Sequence, residues 1–171
     1  MQGVRNMAIR HAGFSMIEMM IVIAIIGILA LIAAPSFQDQ IVRDQINTAL
    51  PLADIAKTPN AAAWAMLQIF PPDNASAGLP PAEKIVNNSI RAVTVQNGAI
   101  HITFGNRANS LISDKILTLR AAVVEDAPVV PVTWVCGYAE APDKMTLHGE
   151  NQTNIPASFL PFNCRARLAK K

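Results

Sequence analysis

Charged side chains are scarce, at 15% of the 171 residues, and aromatic ones scarcer still, at 5%. With aliphatic residues plentiful, so little charge calls for a large apolar element somewhere in the chain. Nor is there an excess of one sign beyond the N-terminus. Arg5 and Arg10 lie in the first 13 residues, and the remainder balances 12 basic against 12 acidic side chains. Domains dedicated to nucleic acid are usually strongly basic, so this balance argues against one. The sequence has no G-x-S-x-G, no glycine-rich phosphate loop and no H-E-x-x-H, so no hydrolase or nucleotide site and no cofactor are expected. His101 and His148 accompany only two cysteines, without C-x-x-C or H-x-x-x-H spacing, and no metal site is expected either.

What the sequence does hold is one long apolar run. From Phe14 to Ala34 there are 21 residues, of which only Ser15 and Glu18 are polar. As a helix this run is roughly 31 Å long, against a bilayer core of about 30 Å. The flank MQGVRNMAIRHAG carries Arg5 and Arg10 and no acid, which keeps that end cytoplasmic and sends the remainder outward. Cys136 and Cys164, an even and sparse pair behind such a segment, then read as one disulfide in an oxidising compartment. An ordinary signal peptide would be cut beside small residues after the run, but Pro35 follows Ala33 and Ala34 at once. A plain anchor leaves Glu18 unexplained, because a carboxylate there costs on the order of 2.5–3.5 kcal/mol on insertion scales. A buried helix of a soluble protein would not need the basic, acid-free leader.

The segment GFSMIE, opening FSMIEMMIVIAIIGILALIAAPSFQDQ, resembles the N-terminus of type IV pilins over its whole length. The resemblance implies a leader ending at Gly13, removed by a prepilin peptidase that also N-methylates Phe14. Glu18 then stands fifth in the mature chain, where that family keeps a glutamate. Its carboxylate would neutralise the new amine of Phe14 on a neighbouring subunit. These residues are the substrate of a reaction, not a catalytic site, and no enzyme activity is expected. Gly27 and Pro35 weaken the helix locally, by about 1 and 3 kcal/mol relative to Ala, and the resemblance implies loosening there on assembly.

The division expected is a leader at 1–13, a membrane and filament-core half-helix at 14–35, and a head at 36–171. Past Pro35 a helical spacing continues, with Ile41, Ile46, Leu50, Ile55 and Ala56 toward a sheet and Gln38, Arg43 and Asp54 in water. Pro51 and Pro59 should interrupt it, and PPDNASAGLPP at 71–81 is a loop by composition. The period then becomes two. Val93 and Val95, then Asn97-Gly98, then Ile100, Ile102 and Phe104 spell a hairpin. Leu117–Val123 and Val132–Cys136 supply two more strands. The fold expected is α+β, a long hydrophobic N-terminal helix packed on a four-stranded antiparallel sheet, with a disulfide-bounded loop at 136–164. That segment shows few strand signals, and His101, out of phase with Ile100 and Ile102, should face solvent. NGAIHITFGNRAN, ISDKILTL, VTWVCGYA and FLPFNCR look like a type IVa pilin head.

The resemblance implies a homopolymer, made with an inner-membrane assembly platform and its ATPases. The precursor would sit in the inner membrane of a Gram-negative bacterium and the product in an extracellular pilus serving adhesion, twitching motility or DNA uptake. The sparse aromatics exclude a conductive filament. Arg165, Arg167, Lys170 and Lys171 form a basic tail, either a solvated end or a contact for DNA or another anion. The same N-terminus would serve a minor pilin acting as DNA receptor or adhesin. It would also serve a type II secretion pseudopilin, although that family tends to carry a calcium loop where this chain ends in FLPFNCR.

Overall fold

The computed structural model describes residues 13–167, apart from the side chains of residues 33–37. The chain divides after Gln38 into two compact units. Helix α1 spans Met16–Ala49 and belongs in part to each. It stops where Pro51 withdraws a backbone donor, and a short 3-10 turn at Leu50–Ala53 leads into α2, Asp54–Leu67. Pro59 lies inside α2 rather than breaking it, contrary to expectation. Nearby, the Asn60 side chain donates to the Ala56 carbonyl at 2.8 Å. The helix ends at Gln68, left-handed at φ 55°, whose N–H bonds the Trp64 carbonyl.

In the second unit the helix face turned to the sheet is made of Val42, Ile46, Ala49, Ala53 and Ala56, all fully buried. Ile41 and Ile55, expected there, are about half exposed. Three alanines let the helices approach the strands closely, so bulk was a poor guide to which side faces inward. The sheet runs β1 (Ile90–Gln96), β2 (Ala99–Phe104), β3 (Ile116–Val123), β4 (Thr133–Cys136) in that order, antiparallel throughout. The β1–β2 turn has Asn97 and Gly98 both at positive φ, 47° and 88°, as an Asn-Gly hairpin requires.

A fifth strand, β5 (Thr146–His148), was not expected. It lies in the cysteine-bounded segment and pairs with β3 from Ala121 to Val123. β2 occupies that edge of β3 only up to Arg120, so β5 takes over where β2 runs out. Three residues carry no readable alternation; the vacant edge decides the pairing.

Asn74 stitches the loop after α2 to the sheet. β1 is an edge strand, and the Asn74 amide donates to the Val93 and Pro80 carbonyls while its oxygen accepts the Val95 N–H. The side chain thus stands in for a missing neighbouring strand. Asn74→Ala leaves several buried groups unpaired, at roughly 1–3 kcal/mol for each. We expect a clearly lower denaturation midpoint with unchanged m-value in urea unfolding.

His101 is 3% exposed, not solvated as its phase suggested. The second sheet face is covered too, by the segment Gly149–Gln152. A Cβ at Gly149 would come within 2.5 Å of Ala99, and the Gln152 N–H donates to Thr118 Oγ1 at 3.1 Å. His101 Nδ1 shares a hydrogen bond with that same hydroxyl at 3.0 Å. Burial holds the imidazole below its ordinary value of 6.5, while Glu150 pulls the other way. Below pH 6.5 the unfolded chain takes up a proton that the folded head resists, so stability is lost as pH falls. The purified subunit should melt lower at pH 5 than at pH 7.5, and His101→Gln should shrink that difference.

Candidate functional site

In the first unit, Ser15 immediately precedes α1. Its carbonyl accepts the N–H groups of Glu18 and Met19 at 3.1 and 3.2 Å, and its Oγ also accepts from Glu18 N at 3.2 Å. Ser-x-x-Glu is the capping-box spacing, a signal present in the sequence but read there only as a polar residue in an apolar run. The cap places Glu18 in the first turn. A carboxylate at a helix N-terminus gains about 0.3–1 kcal/mol from the backbone dipoles. A carboxylate placed in lipid would cost about 2.5–3.5 kcal/mol, well above that gain.

Around Glu18 the described side chains of this unit are uncovered. Fourteen large apolar side chains from Phe14 to Ile32 are exposed, Met16 at 87% and Leu31 at 78% among them. Met19 to Ile23 alone are consecutive, so at about 100° per residue the apolar surface goes all the way round the helix. Exposed apolar surface on this scale marks an interaction site. Among the described residues no helix is long and apolar enough to cross a membrane; the side chains of this helix are described from Met16 to Ile32 and again from Gln38. At Gly13 and Gly27 an added Cβ would meet nothing within 4 Å. Phe14 is 75% exposed. The backbone of α1 is helical through Pro35.

At the far end of the chain, Cys136 and Cys164 form a disulfide, and both are buried. Arg165 is not part of a free tail. Its Nε donates to the Leu160 carbonyl at 2.8 Å and its Nη2 to the Ser158 carbonyl at 3.2 Å. Arg167 is exposed, and Lys170 and Lys171 lie outside the described residues. His148 pairs with Glu125 at 3.0 Å, so the two histidines and the bonded cysteines serve separate contacts.

A family described as pilin, a bacterial filament, matches residues 42–165. The chain belongs to the pilin family. The prokaryotic N-terminal methylation motif matches residues 9–34 and so includes Gly13, Phe14 and Glu18. Type IV major pilin protein PilE of Neisseria gonorrhoeae is 35% identical over 159 residues, 90% of this chain and 93% of that one. A fimbrial protein of Neisseria meningitidis serogroup B is 32% identical, over 90% of this chain and 93% of its own. Fimbrial protein Q of Moraxella bovis is 31% identical, over 90% and 96%. In this pilin the family's parts are all present: the N-terminal helix, the antiparallel sheet and the C-terminal disulfide. A pilin polymerises with other pilin subunits, and the uncovered helix is the surface with most to gain from it.

Proposed function

We propose that this pilin is a structural subunit of a type IV pilus, without catalytic activity of its own. It is made as an inner-membrane precursor and cut by prepilin peptidase after Gly13. After N-methylation at Phe14, an ATPase-driven platform extracts it into an extracellular filament. The observation that carries this reading is the apolar helix exposed on every side, with one carboxylate, Glu18, in its first turn. Lipid and neighbouring helices can each cover that surface in turn. In the filament, Glu18 of one subunit meets the charged amine of Phe14 on the next.

Four relatives carry the words major pilin in their names, which favours an abundant subunit over a specialised one. Deleting the gene and imaging the cells, with twitching and transformation assays alongside, tests the reading. We expect all filaments to disappear. Filaments that persist while one function is lost would make the chain a minor pilin.

A further inference from the structure

Arg43 on α1 and Arg165 beside the disulfide meet at a single acceptor. Arg43 Nη2 donates to the Ser158 carbonyl at 2.8 Å, and Arg165 Nη2 donates to the same oxygen at 3.2 Å. Sharing one atom holds the two Nη2 groups within about 6 Å, where like charges repel even near a surface. Neither guanidinium has an acid partner among the described residues, whose ion pairs are Lys57–Asp54, Arg91–Asp114 and His148–Glu125. Asp39, one turn back from Arg43 on α1, joins none of them.

Donors are left over as well. A guanidinium carries five N–H groups, and Arg43 Nε is buried without a hydrogen-bond partner. Two backbone carbonyls, of Ser158 and of Leu160, are a weak counterweight to two full charges. A carboxylate, which accepts two parallel N–H bonds from arginine, fits what is missing. Arg43 and Arg165 are both partly exposed, and Ser158 between them is exposed, so the pair can be reached from outside.

We infer that Arg43 and Arg165 form a docking site for a carboxylate of a neighbouring copy of this chain. The inference rests on the filament reading, which brings copies of the head together at high effective concentration. The head also carries the supply: Glu83, Glu140 and Asp143 are exposed acids outside the three ion pairs. A head so docked has its helix, its disulfide region and its neighbour joined at one point.

The test uses the full chain in cells that make filaments. Arg165→Glu should lower the yield of sheared filaments at least tenfold, and Arg165→Gln by less. The unassembled subunit, recovered in detergent, should keep its disulfide and its melting temperature. A scan of single acid-to-arginine changes over the exposed acids of the head should then find one that restores Arg165→Glu filaments to within about threefold of normal. Normal yield from Arg165→Glu overturns the proposal. So does a loss of yield that merely tracks a destabilised subunit, or one that no acid-to-arginine change repairs. If the unaltered chain makes no filaments, the filament reading itself fails, a separate outcome.

Discussion

Glu18→Val gives a subunit that is still cleaved after Gly13 but stays in the membrane instead of entering filaments. The capping hydroxyl of Ser15 and the apolar helix are untouched by the change, so α1 still forms. Insertion becomes easier, because the carboxylate that costs about 2.5–3.5 kcal/mol in lipid is gone. Assembly becomes harder. On the proposed filament reading, the amine of a neighbouring Phe14 would be left charged and unpaired inside an apolar bundle, a penalty of roughly 3–5 kcal/mol. That corresponds to a loss of on the order of a hundredfold or more in the equilibrium for adding a subunit. Immunoblots of the sheared and membrane fractions measure it: mature-length protein should pile up in the membrane and vanish from the sheared material. Filaments at normal yield would mean that Glu18 has another role.

The second large effect is on the head. Cys136→Ser should remove about 3.5 kcal/mol by loop-closure entropy, given the separation of 28 residues between the bonded cysteines. The loss falls on more than a loop. The bounded segment contributes β5, buries His101 on the second sheet face, and sends Ile155 and Leu160 into the main core. For a domain stable by about 5–15 kcal/mol this is a large share. Melting should fall by roughly 10 °C or more in the variant and equally in the reduced wild-type subunit. A shift of only a degree or two would show that packing alone holds the segment.

The parts of this fold that were legible in the sequence are those specified locally. Asn97-Gly98 between alternating apolar runs defines a hairpin with little help from elsewhere, and β1 and β2 formed where expected. Pro51 ends α1 by removing a donor, which needs no knowledge of the tertiary fold. The cysteine pair was readable from count and compartment. What was missed depends on distant neighbours. β5 exists because β3 keeps an open edge beyond Arg120. His101 is buried because residues about fifty positions later fold back across the sheet, and no alternation pattern reports that. Ile41 and Ile55 were assigned inward on bulk, whereas the helix packs through Ala49, Ala53 and Ala56. Pro59 was weighed by its cost alone, although it lies within α2. The N-terminal site was visible as a motif, but the cap that orients it was overlooked at Ser15. Arg165 could be placed only in three dimensions, because its meeting with Arg43 spans nearly the whole head.

The most direct measurement is the intact mass and N-terminal sequence of this chain recovered from filaments sheared off intact cells. The expected species begins at Phe14, carries one methyl group on its amine, and has Cys136 bonded to Cys164. A chain that still begins at Met1, or one absent from the filaments altogether, would contradict a subunit cut at Gly13 and polymerised through its N-terminal helix.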